Sequence, residues 1–130
     1  MIRVLLAEDH GDIRMAVTRL LELAGATVDS VSDGDEAVVK ARAGTFDIVL
    51  MDLRMPRMSG LAATRVLRGE GNRTPVLALT ADAATTRRTE ALEAGCDECL
   101  SKPFTLNELV ECIQRIPRRS RRRTIMSQST

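Results

Sequence analysis

The stretch "IVLMDLRMPRMSG", Ile48 to Gly60, decides how the chain folds. Apolar residues from Ile48 to Met51 run straight into Asp52, and the chain then breaks on Pro56. A short, unbroken apolar run ended by a breaker reads as a strand buried on both faces, the kind found in parallel sheets. Such a strand delivers one charge, Asp52, at its tip.

Outward from this run, two kinds of apolar segment alternate. Short runs at 2–7, 26–31, 47–51, 75–80 and 98–100 read as strands. Between them lie apolar residues spaced three and four apart, as on a helix face. Ile13, Val17, Leu20, Leu21 and Ala24 form one stripe, and Ala37, Val38 and Ala41 another. Leu61, Thr64 and Leu67 with Val66, then Ala91, Leu92 and Ala94, then Leu109, Val110 and Ile113 complete the set. Gly25, Gly44 and Gly95 follow helical stripes, where a left-handed residue commonly ends a helix. Ser59 and Thr105 stand at N-cap positions, and Thr105 with Glu108 has capping-box spacing. The order βαβαβαβαβα predicts an α/β fold, a five-stranded parallel sheet with helices on both faces. Five units are too few for an eight-fold barrel, so the expected sheet is open and doubly wound.

Composition agrees with one compact domain. The chain has 130 residues, 44% of them hydrophobic, enough for a full core without disulfide or metal. No apolar run approaches the roughly 20 residues of a membrane span, and "MIRVLLAED" turns acidic too early for a secretory signal. The expectation is a cytoplasmic protein with no membrane insertion. Cys96, Cys99 and Cys112 are an odd number of thiols and read as reduced. Cys96 and Cys99 form a C-x-x-C, but the chain holds a single His, and redox pairs open a helix after a strand rather than precede a strand. They read instead as small, half-buried residues entering a strand. All 18 acidic residues precede Pro117 with 14 of the 19 basic ones, so residues 1–116 carry −4 and the arginines of 118–123 carry +5. Residues 1–117 are expected to be the domain, and 118–130, which lack apolar periodicity, a basic tail or linker.

In an open parallel sheet the carboxyl ends of the strands share one edge, and ligands bind where the strand order reverses. Residues just past the predicted strands are Glu8 and Asp9, Asp52, Thr80 and Lys102. Crowded carboxylates repel one another unless a cation neutralises them. Mg²⁺ binds through one or two carboxylates and keeps waters that substrate phosphate can replace. Mg²⁺, one ammonium and one hydroxyl donor form a site for a phosphoryl group, and a carboxylate can be the nucleophile that accepts it. Asp52, on the central strand, is the candidate acceptor.

At these positions "AEDH", "MDLRMPRMSG", "ALTA" and "SKPF" resemble the receiver domain of two-component response regulators, with the match covering nearly all of residues 1–116. The resemblance implies a flavodoxin-like sheet of order 2-1-3-4-5. It implies that Asp52 takes a phosphoryl group from a phosphohistidine on a histidine kinase or histidine phosphotransfer protein, with Mg²⁺ as cofactor. Asp9, Asp52 and the backbone carbonyl of Arg54 would hold the metal, and Glu8 would act mainly through water. Lys102 would pair with the phosphoryl oxygens, Thr80 would swing toward them, the Lys102–Pro103 bond would be cis, and Gly60 would allow the turn into the third helix. A phosphorylation-linked dimer is a further partner state. "ALTADA" and "GLAATRVLR" resemble receivers attached to hybrid sensor kinases.

Departures from that pattern matter. The first acid is Glu8 rather than Asp, Ser59 replaces an acidic residue before Gly60, and Cys99 stands where the family usually has Tyr or Phe. The expected switch therefore works through Thr80 and the loop after it alone. Arg54 and Asp82 both flank the pocket mouth, where an ion pair between them competes with two solvated side chains. Among rivals, a D-x-D phosphatase would need an acid at Arg54, and a dinucleotide enzyme would need more than Gly11 in "EDHGDIR". His10 reads as a solvated cap-region histidine. The arginine tail suits nonspecific nucleic-acid or acidic-surface contact, with no recognition-helix pattern. The alternative function is a phosphorylation-independent, receiver-like interaction module.

Overall fold

A computed structural model describes residues 2–82 and 84–116; the basic tail lies outside the described residues. Five strands, Arg3–Ala7 (β1), Thr27–Val31 (β2), Ile48–Asp52 (β3), Val76–Thr80 (β4) and Glu98–Ser101 (β5), alternate with five helices. The helices are Gly11–Leu23 (α1), Gly34–Ala43 (α2), Gly60–Gly69 (α3), Thr85–Ala94 (α4) and Leu106–Arg115 (α5). All strand pairs are parallel, in the order β2-β1-β3-β4-β5. The fold is a doubly wound, flavodoxin-like sheet with the order that the resemblance implies.

Successive strand residues point to opposite faces, so two separate cores form. Leu5, Ala7, Val49, Met51, Val76 and Ala78 face α2, α3 and α4, meeting Ala37, Val38, Ala41, Ala63, Leu67 and Ala91. Val4, Leu6, Ile48, Leu50, Leu77 and Leu79 face α1 and α5, meeting Val17, Leu21, Leu109 and Cys112. Removing one of these leucines would cost about 2–5 kcal/mol, since the cavity adds to the lost burial. Strand order reverses between β1 and β3, and their carboxyl ends open the crevice there.

Local signals behave largely as their chemistry predicts. Ser59 accepts a hydrogen bond from the Ala62 N–H, and Thr105 and Glu108 form a reciprocal capping box. Gly25 and Gly95 take left-handed φ values of 96° and 112°. Gly44 does not: its φ of −113° is extended, and its backbone simply leaves α2 toward Phe46. Cys96 and Cys99 are fully buried rather than half-buried, because both pack into the core beneath α3 and α4. Among the described residues, no helix is long and apolar enough to cross a membrane.

Candidate functional site

β3 carries Asp52 as its last residue, one position further than the apolar run suggests, paired in register with Leu79 of β4. The ladder therefore fixes the backbone of the charged residue itself. Behind it, α3 starts so close that a side chain at Gly60 would collide with the Asp52 carbonyl. Gly60 is needed for this approach, and the Gly60 N–H closes the loop by bonding the Leu53 carbonyl at 3.2 Å. The cis Lys102–Pro103 peptide is present, as the resemblance implies.

Around Asp52 the predicted residues converge. Its Oδ1 accepts a hydrogen bond from the Arg54 N–H at 3.0 Å, and its Oδ2 lies 3.2 Å from Lys102 Nζ. Lys102 also reaches Glu8 Oε1 at 2.5 Å, spanning the crevice from β5 to β1. Glu8 is wholly buried, so it meets Lys102 directly. Thr80 sits at the same edge, but its hydroxyl donates to the Asp82 carbonyl and accepts from the Asp82 N–H, both at 3.1 Å. Its donor is thus engaged by the loop after β4.

Charges in this cluster are unevenly held. Burial pushes the Asp52 carboxyl up, and the adjacent Glu8 pushes it further, while the Arg54 N–H and Lys102 oppose both. Burial would also raise Glu8, but hydrogen bonding with Asp52 and Lys102 outweighs it and holds Glu8 below the ordinary range. Burial works against the Lys102 charge, yet the two carboxylates win and raise its affinity for the proton. The crevice carries more negative charge than one ammonium can neutralise.

That imbalance bears on metal binding. Ligand atoms of Glu8, Asp9, His10 and Asp52 all lie within 4.8 Å of one another. Asp9 Oδ1 is buried without a hydrogen-bond partner among the described residues, a costly state for a carboxylate oxygen unless something else satisfies it. Oxygen donors, excess negative charge and an unsatisfied buried oxygen fit a hard divalent cation such as Mg²⁺.

His10 is an exposed N-cap residue of α1, as the sequence suggests, but its side chain makes no cap hydrogen bond and its Nδ1 lies 3.2 Å from Asp9 Oδ1 and 3.4 Å from Glu8 Oε2. Nothing in the residue spacing signals this, since it depends on how the chain turns between β1 and α1. Arg54 and Asp82 form no ion pair among the described residues. Asp82 instead accepts the Ala84 N–H at 3.0 Å, a local bond that a carboxylate two residues earlier makes readily.

Comparison with known proteins agrees with this geometry. The family model for the response regulator receiver domain matches residues 4–114. The response regulator MprA of Mycobacterium tuberculosis is 36% identical over 120 residues, covering 92% of this chain and 52% of that protein. The chain spans about half the length of the curated relatives it matches. Among solved structures, the receiver domain of sensor histidine kinase PA1611 from Pseudomonas aeruginosa, with a magnesium ion coordinated in its active-site cleft, is similar at 38% identity. Its TM-score is 0.82, over 88% of this chain and 96% of that one. The receiver domain of the Francisella response regulator 1452 gives a TM-score of 0.86 at 29% identity, over 92% and 99% of the two chains.

Proposed function

The chain belongs to the response regulator receiver domain family, and from that premise we propose that it is a phospho-accepting signalling switch whose acceptor is Asp52. The donor is a phosphohistidine on a histidine kinase or histidine phosphotransfer protein. An Asp52 oxygen attacks phosphorus, the P–N bond breaks, and the donor ring, protonated on its other nitrogen, leaves as neutral imidazole. Asp9, Asp52 and the Arg54 carbonyl would hold Mg²⁺, with Glu8 acting through water; when bound, it neutralises the phosphoryl oxygens as charge builds on them.

The chain's own residues prepare the step. The β3–β4 ladder holds Asp52 still, so attack costs little positional entropy. Lys102 supplies a fixed positive charge toward the incoming phosphoryl oxygens, and Thr80 exchanges its bonds to Asp82 for one to the phosphoryl group. The observation that carries this reading is the Lys102 ammonium within reach of both Glu8 and Asp52, groups 94 and 50 residues away in sequence.

The domain is assigned to residues 1–117, with 118–130 a basic tail whose nucleic-acid contact, if formed, is nonspecific. Its place is the cytoplasm, and phosphorylation can drive dimer formation. Intact mass after incubation with phosphoramidate and Mg²⁺ tests the chemistry. One added phosphoryl group, lost on omitting Mg²⁺ and in Asp52→Ala, is the expected result; no addition under conditions that label another receiver would overturn it.

One observation favours a second reading. Cys99 is buried in β5 where the family usually carries an aromatic ring, so a phosphorylation-independent interaction module would keep this fold without a full switch. Amide spectra across 81–100 that stay identical with and without a phosphoryl mimic would favour it.

A further inference from the structure

His10 is the chain's single histidine, and the site chemistry above leaves it without a task. Around a six-coordinate ion with bonds of about 2.1 Å, neighbouring donor atoms sit about 3.0 Å apart and opposite ones about 4.2 Å. His10 Nδ1 stands 3.2 Å from Asp9 Oδ1 and 3.4 Å from Glu8 Oε2, and the group of four side chains stays within 4.8 Å. The first two are close to the spacing of adjacent ligands on one ion, and the 4.8 Å spread exceeds the about 4.2 Å of opposite ones, so the group would draw in around a bound metal. Asp9 Oδ1 is buried and makes no hydrogen bond among the described residues, with His10 Nδ1 beside it. The imidazole is mostly exposed, leaving Nε2 free to bond water while Nδ1 turns inward.

We propose that His10 is a nitrogen ligand of the acidic site, making it a site for borderline first-row cations such as Zn²⁺ as well as for Mg²⁺. The proposal rests on the metal reading of the site given above and adds its selectivity. Imidazole suits Zn²⁺, Ni²⁺ and Cu²⁺, whereas Mg²⁺ takes oxygen ligands and gains little from a ring nitrogen. His10 therefore tilts the site toward Zn²⁺ without weakening Mg²⁺, and a neutral imidazole adds no charge to the cluster.

The test uses the full chain, Zn²⁺ and Mg²⁺ chlorides, and two measurements. Imidazole ¹⁵N spectra are unambiguous because only one histidine contributes. On titration with Zn²⁺, the Nδ1 resonance is expected to move while Nε2 keeps its protonated position. Calorimetry should then show His10→Ala losing roughly tenfold in Zn²⁺ affinity, with Mg²⁺ affinity changed by less than about twofold. Zinc that leaves Nδ1 unmoved, or binds His10→Ala as tightly as wild type, overturns the proposal. Failure of the underlying metal reading looks different: Mg²⁺ would not bind wild type at all, or would bind Asp9→Ala equally well.

Discussion

Two cations stand at opposite ends of the sheet, and their surroundings differ in kind. Arg68, near the amino ends of β4 and β5, donates to the carbonyls of Gly95, Asn72 and Thr74 and pairs with Asp97 at 3.1 Å. Asp97 in turn accepts the Val76 N–H, so one carboxylate meets one guanidinium and donors match acceptors. Lys102, at the carboxyl ends, faces Glu8 and Asp52 with Asp9 close by, and among the described residues one buried Asp9 oxygen makes no hydrogen bond. A cluster that holds the fold together closes its valences; a cluster built to receive something leaves them open.

Breaking each cluster should separate the two roles. Lys102→Ala is expected to slow phosphoramidate labelling of Asp52 by about 100-fold, the usual consequence of deleting a charge-stabilising donor. Arg68→Ala should leave that rate within about twofold below its melting temperature, and a matched loss would collapse the distinction. Next in size is the response to metal. At about 100 times its dissociation constant, Mg²⁺ should stabilise wild type by about 2.7 kcal/mol in thermal melts, and Asp9→Ala should show almost none of this. Arg68→Ala should itself cost about 2 kcal/mol, since several part-buried carbonyls and Asp97 lose their donor together. Chemical denaturation midpoints indistinguishable from wild type would show the Arg68 cluster to be ornamental.

The smallest effect concerns the strain at Asp52. Folding pushes its carboxyl up, so the native state favours the protonated form, and stability is lost as pH rises from the ordinary aspartate range into the raised one. Glu8 is shifted the other way and loses its contribution as pH falls below the ordinary glutamate range. In metal-free buffer, Asp52→Asn should melt roughly 3 °C above wild type at neutral pH, with the gap closing under acid conditions. A gap that widens on acidification would mean the Asp52 charge is satisfied without metal.

The sequence makes one of these clusters far easier to see than the other. Glu8, Asp9, Asp52, Thr80 and Lys102 are visible because each follows an apolar run, and parallel topology brings strand tips to one edge. The caps at Ser59 and Thr105 are visible because their chemistry is local. Arg68 is invisible by the same logic: its partners are mostly backbone carbonyls, which every residue has, so no residue type marks them. His10 needed the turn after β1, the Gly44 conformation needed the course of the chain leaving α2, and the choice Asp82 makes for Ala84 over Arg54 needed its side-chain angle. Strand and helix assignments rest on periodicity that survives such details, whereas these three do not.

The contact between Lys102 and Glu8 has a further consequence for synthesis. Because the ribosome makes the chain from the amino end, Asp52 and both neighbouring acids emerge long before the ammonium that accompanies them. Until residue 102 is out and β5 has docked, the Asp52 carboxylate lacks the Lys102 counter-charge, although the β3–β4 ladder can already fix its backbone. The site is thus complete only once the last strand has joined the sheet, however early its acids are made.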